Sequence, residues 1–299
     1  MNRTLLIIVV IFSLFSTISA ENRALLVGIG KYDTRKTGWS VIHGDNDVDM
    51  LTKYLINSGY KETNIKCLKN GQATKAAIVN ALKELAMQCR QGDKVIFHFS
   101  GHGQPISDLN GDEKKKPFDE AIVPYDAYRT RRYKIGNNYY NGENHLIDDE
   151  LNHLINNIKK KIGKKGYLLV SFDACYSEGM EMAKSMINHN DVKKIGPIRG
   201  TADILRISRD SKVARIPRPK MFSDGAKMAV VSACRDYERN YEYHESGTNR
   251  LYGSLSYCLM KLIETGLSMN KWENFFKEEK YKDWDIFMSE QHPTITIYE

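Results

Sequence analysis

Two residues capable of nucleophilic chemistry each follow a strand-like apolar run. His102 lies in FSGHG, directly after the run over residues 94–100. Cys175 lies in DACYS, directly after the run over residues 167–172. Open parallel sheets place their ligand sites at the carboxyl ends of the strands, so both side chains are predicted to emerge at one edge of the sheet. An imidazole beside a thiol favours the reactive thiolate, so the pair predicts a cysteine nucleophile with a histidine base.

Each of these residues also has an ordinary structural explanation. A cysteine at a strand end is usually a small buried apolar side chain, and a histidine in a loop usually has no special role. The glycines on either side of His102, Gly101 and Gly103, would let a substrate approach the backbone closely and present an amide to a developing oxyanion. The pairing of the two motifs at matching strand ends is what favours catalysis.

The elements that must position these motifs alternate along the chain. Apolar runs predict strands over residues 23–30, 64–68, 94–100, 167–172 and 227–233, and three- to four-residue periodicity predicts helices over 45–58, 74–89, 148–162 and 253–265. Strands separated by helices of this length imply crossover connections. The predicted fold class is therefore α/β, with a mostly parallel sheet and helices on both faces.

Composition excludes several other classes of protein. The chain has 299 residues, 41% hydrophobic, with glycine, proline and charge near globular averages, which excludes collagen-like, coiled-coil and fully disordered chains. A net charge of +7 over this length supports nucleic-acid binding only weakly, and no nucleic-acid partner is predicted. Five cysteines cannot all pair within the chain. Cys67, Cys89, Cys234 and Cys258 lie in or beside predicted core elements, which favours free buried thiols and leaves Cys175 as the reactive one.

The first twenty residues have the pattern of a secretory signal peptide. Arg3 precedes an almost wholly apolar stretch, and small residues lead up to Ala20, where cleavage is predicted. The alternative is an uncleaved anchor helix, but the apolar stretch is shorter than the ~20 residues that span a bilayer. A secreted or periplasmic protein without a stable membrane anchor is predicted, with residues 21–299 as a single domain.

Two long segments, 104–146 and 177–224, lack a clear periodic pattern and are predicted to be irregular. Loops of this length are usually functional or mobile. The second segment is basic, contains proline and is predicted to be open to proteases. Its basic residues are Lys193, Lys194, Arg199, Arg206, Arg209, Lys212, Arg215, Arg218 and Lys220.

FSGHG followed by DACYS resembles the caspase-like cysteine peptidases, and within them the metacaspases. The resemblance extends over nearly the whole mature chain, through RALLVGIGKY, GDNDVDML, DLNGDE, FDEAIVPYD, LIDDEL, VSACRD and EQHPTI. It implies a caspase-like three-layer sandwich with a six-stranded, mostly parallel sheet. It also implies that His102 is the catalytic base or acid, that Cys175 is the nucleophile, and that the amides of Gly103 and Cys175 form the oxyanion hole. Cys175 follows His102 by 73 positions, against roughly 50 in the caspase signature, which places an elaborated loop between the motifs.

The same resemblance assigns a substrate pocket to Asp47, Ser100 and Asp173. Two buried carboxylates suit a cation, with arginine preferred for its bidentate geometry, so cleavage after Arg or Lys is predicted. The alternative for Asp47 is a helix cap. Such an enzyme could cut itself within residues 177–224, and the alternative is a solvated basic loop without processing.

Calcium is predicted as an activator, although the chemistry itself requires no cofactor. Asp119, Asp148 and Asp149 resemble the calcium-binding positions of metacaspases, and oxygen ligands suit this cation. The acidic run that the family carries after NGDE is replaced here by three lysines at 114–116. Asp148 and Asp149 are equally well placed to begin a helix.

The sequence as a whole predicts an exported cysteine endopeptidase that acts on protein or peptide substrates. One alternative is a catalytically silent binding or scaffold protein on the same fold. A second alternative is a thiol-dependent transpeptidase that uses the same pair of residues.

Overall fold

The computed structural model describes residues 19–109, 111, 118–175, 197–201, 203–213, 225–235 and 238–299. Nearly all of the predicted signal segment, and much of the basic segment after Cys175, lie outside the described residues. Within these ranges, no helix combines the length and the apolar character needed to cross a membrane.

The described strands and helices follow the predicted alternation. In chain order the strands are β1 (Asn22–Gly28), β2 (Ile65–Lys69), β3 (Lys94–Ser100), β4 (Gly103–Ser107), β5 (Phe118–Ile122), β6 (Lys134–Ile135), β7 (Asn138–Tyr139), β8 (Leu146–Ile147), β9 (Tyr167–Asp173), β10 (Lys227–Ser232), β11 (Glu242–His244), β12 (Leu251–Gly253) and β13 (Thr294–Tyr298). The helices are α1 (Thr34–Thr37), α2 (Gly44–Asn57), α3 (Lys75–Gln88), α4 (Asp148–Ile162), α5 (Ser254–Glu264) and α6 (Trp272–Lys277).

Six strands form the central sheet in the order β13-β10-β9-β3-β1-β2. Neighbouring strands are parallel except at one edge, where β13 runs antiparallel to β10. The inner strands are apolar along nearly their whole length because helices cover both faces of the sheet. The predicted α/β class and the six-stranded, mostly parallel sheet are confirmed.

The core is divided between the two faces of the sheet. Apolar residues of α3 and α4, such as Leu82 and Ile155, pack on one face, and apolar residues of α2 and α5, such as Leu51 and Leu259, pack on the other. Successive residues of β3 alternate between these clusters, as the two-residue period of a strand requires. Three layers result, and the sheet holds the ends of β3 and β9 in fixed positions.

The described part of the segment 104–146 is not irregular, contrary to the sequence prediction. It contains β4 and β5, which pair with β8 in a small three-stranded antiparallel sheet, and the β6–β7 hairpin. These strands are two to five residues long. Runs this short carry too few residues to show a period, and their pairing depends on the chain around them.

Candidate active site

The two motifs leave the sheet side by side. β3 and β9 are parallel neighbours, and their register places Ser100 opposite Asp173. The Gly101 amide then donates a hydrogen bond to the Asp173 carbonyl, 3.2 Å away. His102 and Cys175 each follow two residues beyond this matched pair, so the sheet brings both to the same edge, as predicted.

His102 is buried beneath two aromatic rings. Its ring lies 4.9 Å from the ring centroids of both Tyr32 and Trp39. Nε2 lies 2.9 Å from the carbonyl oxygen of Ser40. A carbonyl can only accept, so Nε2 carries the proton and the neutral ring keeps Nδ1 as its acceptor. Among the described residues, Nδ1 is buried without a hydrogen-bond partner.

Burial lowers the pKa of His102 to about 4, with the Ser40 hydrogen bond acting in the opposite direction. The imidazole is therefore neutral at neutral pH and able to take up a proton at Nδ1. Ser40 was missed by the sequence analysis. It orients the histidine mainly through its backbone carbonyl, while its hydroxyl lies 3.4 Å from the same Nε2. A backbone contact leaves no side-chain signal in the sequence.

Cys175 is also buried, with 2% of its surface exposed. Its Sγ donates to the carbonyl oxygen of Glu238, 3.3 Å away. Cys234 lies beside it, and the pKa of the Cys234 thiol is raised by a hydrogen bond with Cys175 and by burial. All five cysteines are free in the structure, with Cys67 half-buried and the other four buried.

A pocket of buried acidic side chains lies next to Cys175. Asp47, Ser100 and Asp173 are all fully buried. The Asp47 carboxylate accepts from the Ser100 hydroxyl at 2.6 Å and from the Gly253 amide at 2.9 Å. Asp47 therefore does not cap its own helix, and the N-cap position of α2 belongs to His43. The Asp173 carboxylate accepts from both the amide and the hydroxyl of Ser256, each at 2.7 Å.

The pocket is filled by an arginine of the same chain. Arg199 is fully buried, and its Nη1 lies 2.9 Å from Asp47 and 3.7 Å from Asp173. The prediction that Arg199 belongs to an open basic loop is wrong, although Arg206, Arg209 and Lys212 are exposed as predicted. A run of basic residues predicts a solvent-exposed segment. The burial of Arg199 could not be predicted because its acidic partners are distant in sequence.

A third carboxylate, which the sequence analysis missed, completes the pocket. Glu242 on β11 accepts from Nε of Arg199 at 3.1 Å and from Nη2 at 2.7 Å. Its second oxygen lies 2.6 Å from Nδ1 of His43. The sequence carried no signal for this role, because Arg199 and His43, the partners of Glu242, are both distant from it in the chain.

The buried carboxylates and Arg199 shift one another's pKa values and so determine which of these groups are charged. Burial raises the pKa of Asp47 to about 7, and Arg199 opposes that shift. Burial also works against ionisation of Glu242, but Arg199 and His43 together lower its pKa. For Arg199 itself, burial favours the neutral form, yet Asp47, Asp173 and Glu242 raise the pKa. A buried pocket with this many carboxylates is stable only when a cation lies in it.

The lack of a side chain at Gly253 leaves room for the guanidinium of Arg199. A Cβ atom at this position would lie 2.0 Å from Oδ2 of Asp173 and 2.6 Å from Nη1 of Arg199. The backbone of Gly253 is extended, with φ −64° and ψ 137°, which any residue adopts. Glycine is therefore required here by the size of the pocket and not by its backbone conformation.

The two residues whose amides are predicted to form the oxyanion hole, Gly103 and Cys175, both contact the segment that carries Arg199. The Cys175 amide donates to the Arg199 carbonyl at 2.6 Å. On the other side, the Gly103 carbonyl accepts from the Thr201 amide at 3.2 Å. The amide of Cys175 is thus positioned to stabilise negative charge on the carbonyl of a residue held in the pocket.

The three candidate calcium ligands lie at the far end of the small sheet. Asp119 is on β5, which pairs with β8, and Asp148 and Asp149 begin α4 directly after β8. Their position in the first turn of α4 is favourable for acidic residues. Within the described part of the chain, no group of three or more His, Cys, Asp or Glu residues is arranged to hold a metal ion.

The metacaspase peptidase C14 domain matches residues 22–183, a range that holds both His102 and Cys175. This match covers more than half of the chain. The protein belongs to the metacaspase family.

Curated relatives agree with this assignment, and a solved structure shares the fold. Metacaspase-1 of Ajellomyces capsulatus is 31% identical over 170 residues, which are 54% of this chain and 42% of the relative. Metacaspase-1 of Scheffersomyces stipitis is 22% identical over 281 residues, which are 83% of this chain and 64% of the relative. The chain thus spans less than two thirds of the length of these relatives. The crystal structure of protein GSU0716 from Geobacter sulfurreducens shares the fold, with a TM-score of 0.62, 19% identity and 93% of each chain covered.

Proposed function

We propose that the protein is a cysteine endopeptidase that cleaves protein or peptide substrates after Arg or Lys. One observation carries the proposal: a fully buried arginine fills a pocket of three carboxylates, with its carbonyl oxygen on the amide of Cys175. A substrate arginine in the same pocket would bring its own carbonyl to the nucleophile. An acidic side chain there would meet Asp47, Asp173 and Glu242, so caspase-like cleavage after Asp is disfavoured.

In the proposed mechanism Cys175 attacks the carbonyl carbon of the bound basic residue. Nδ1 of His102 takes the thiol proton and later gives a proton to the leaving amine. The Ser40 carbonyl holds the imidazole in the tautomer that this role needs. The amide of Cys175, joined by the amide of Gly103 as the family resemblance implies, stabilises the tetrahedral oxyanion. Water then hydrolyses the thioester and restores the thiol.

The proposal is tested with fluorogenic peptides that end in Arg, Lys or Asp before the reporter. Wild type is compared with Cys175→Ala and His102→Ala, and products are analysed by mass spectrometry with an added peptide amine. Hydrolysed product after Arg or Lys from wild type alone supports the endopeptidase. Joined peptide in place of hydrolysed peptide indicates a transpeptidase, and no turnover indicates a binding or scaffold protein.

Self-processing within residues 177–224 is part of the proposal. The support is that this segment is rich in Lys and Arg and that one of its arginines already lies in the pocket. Denaturing gels of wild type beside Cys175→Ala test the point. Fragments from wild type only are expected, and a single band from both proteins would contradict self-cleavage.

Export with cleavage after Ala20 is proposed from the signal-like segment. Glu21, the residue after the predicted cleavage point, already belongs to the folded domain, because its amide donates a hydrogen bond to the Asp93 carboxylate at 2.7 Å. Expression in a secretion-competent host, followed by N-terminal sequencing, tests this. A mature chain that starts at Glu21 is expected, and a retained chain that starts at Met1 would contradict it.

Calcium activation is proposed from the family resemblance. Asp119, Asp148 and Asp149 alone do not provide the six to eight oxygen ligands that calcium takes. No step of the mechanism depends on the ion. Reporter hydrolysis in millimolar calcium and in excess chelator is the test, and equal rates would rule out calcium as an activator.

A further inference from the structure

A short piece of the chain, residues 198–201, lies across the active site in the manner of a bound peptide. Ile198 forms an antiparallel bridge with Tyr241, and the Arg199 amide donates to the Asn240 carbonyl at 3.1 Å. The backbone before Arg199 is thus held as an added strand, which is a common way to bind an extended peptide. The side chain of Arg199 enters the carboxylate pocket from this strand.

The peptide bond that follows Arg199 lies against the backbone of the nucleophile. Gly200 forms a parallel bridge with Cys175, and the carbonyl of Arg199 accepts from the Cys175 amide at 2.6 Å. Beyond the bond, the Thr201 amide donates to the Gly103 carbonyl at 3.2 Å. The chain is therefore fixed on both sides of the Arg199–Gly200 bond.

Only glycine fits directly after Arg199. Gly200 has φ +137°, a conformation that residues with a Cβ rarely adopt. A Cβ atom here would also lie 2.1 Å from the Cys175 carbonyl oxygen and 2.9 Å from that of Gly103. Backbone conformation and close approach both restrict this position to glycine, so arginine followed by glycine is the pair that can lie in the site in this way.

We propose that Arg199–Gly200 is the bond that the enzyme cuts in itself, and that the uncut segment keeps other substrates out of the pocket. This inference rests on the proposed endopeptidase activity and names the site and the regulation of its self-processing. Arg199 is attached to the same chain as its pocket, so it competes at a high effective concentration with any substrate added from solution.

The cut follows the same chemistry as cleavage of a separate substrate. The Cys175 sulfur bonds to the Arg199 carbonyl carbon, and the thiol proton passes through His102 to the Gly200 nitrogen as the C–N bond breaks. A thioester with Arg199 and a free Gly200 amine result. Water then replaces sulfur on the carbonyl carbon, which leaves an Arg199 carboxylate and restores the Cys175 thiol.

The test uses the purified full chain in millimolar calcium, with N-terminal sequencing and intact-mass measurement over time. A new N-terminus at Gly200 is expected from wild type and not from Cys175→Ala. Because Arg199 already lies in its own pocket, the half-time of the cut should not change over a tenfold dilution. A cut at another bond with Arg199–Gly200 intact would overturn the proposal, as would a half-time that lengthens in proportion to dilution.

Variants of the segment test the assignment. Arg199→Gln should abolish the cut at Gly200. Arg199→Lys keeps the cation but loses bonds of the guanidinium, so it should cut at the same bond about tenfold more slowly. If Arg199→Gln fails to fold, the slower cut expected from Arg199→Lys still tests the assignment. Arg206→Gln, at an exposed position of the same segment, is the matched control and should cut as wild type does.

Reporter hydrolysis after Arg separates this inference from the proposed function. Wild type should show a lag that ends as the Gly200 terminus appears, and Arg199→Gln should start without a lag. Full reporter activity from uncut wild type would overturn the blocking role while leaving the endopeptidase intact. No reporter hydrolysis by any variant would instead refute the proposed function itself.

Discussion

The carbonyl oxygen of Arg199 lies 2.6 Å from the amide nitrogen of Cys175, so the backbone of Cys175 binds another residue of the same chain. The guanidinium of the same arginine ends among Asp47, Asp173 and Glu242. One residue thus connects the amide of Cys175 with the three buried carboxylates.

Ser40 is expected to contribute to catalysis through its backbone carbonyl, and His102 through its imidazole ring. His102→Ala removes the proton acceptor and should lower kcat by about 100- to 10,000-fold on an Arg reporter. Ser40→Ala keeps the carbonyl that holds Nε2 and should stay close to wild type. Steady-state kinetics of both variants provide the test. A loss in Ser40→Ala as large as that in His102→Ala would contradict the backbone role.

Glu242 should set the preference for Arg over Lys. It bonds to Nε and Nη2 of the guanidinium, which an ammonium group does not offer in the same geometry. Glu242→Gln should lower kcat/KM for Arg reporters by about 10- to 100-fold and for Lys reporters less. Glu245→Gln, beyond the end of β11, is the control and should leave the Arg to Lys ratio unchanged. An unchanged ratio in Glu242→Gln would refute this role.

Gly253→Ala should narrow the pocket without disturbing the backbone. The added methyl group would meet Asp173 and the guanidinium, so kcat/KM for Arg reporters should fall by about 10-fold or more. Gly71→Ala is the matched control, because its new Cβ would come no nearer than 3.7 Å to Tyr125. Circular dichroism should show both variants folded. Unimpaired Arg cleavage by Gly253→Ala would show that the guanidinium does not bind at this depth.

The elements that position the dyad could be predicted from the sequence, but the occupant of the pocket could not. β3 and α4 match their predicted ranges because long apolar runs and clear periodicity report burial directly. Asp47, Ser100 and Asp173 were found by motif and do lie together. Arg199 and Glu242 were missed because each is charged and far in sequence from the groups that neutralise it. Only the folded chain reveals that such charges are paired.

Acid should destabilise the fold in part through buried His145. Burial lowers its pKa to about 3 from the ordinary 6.5, so the unfolded chain binds a proton that the native state does not. The stabilising contribution is complete above pH 6.5 and is lost as the pH falls toward 3. Asp47, whose pKa is raised, changes the dependence of stability on pH in the opposite direction. The contribution of His145 is therefore measured as the difference between a His145 variant and its parent protein.

This is tested with His145→Gln in the Cys175→Ala background, which keeps the chain intact. The slope of unfolding free energy against pH should decrease by up to about 1.4 kcal/mol per pH unit between pH 4 and 6. Tyr140→Phe removes the 2.6 Å hydrogen bond to His145 but keeps the imidazole, so it should lower stability without changing the slope. Urea unfolding at several pH values measures both. Equal slopes for His145→Gln and its parent would contradict the assignment.

The most direct test of the account is the ratio of kcat/KM for an Arg reporter to that for an otherwise identical Asp reporter. Three buried carboxylates around the pocket predict a ratio of about 1,000 or more in favour of Arg, with no turnover of either reporter by Cys175→Ala. Faster cleavage after Asp than after Arg, or undiminished turnover by Cys175→Ala, would contradict it.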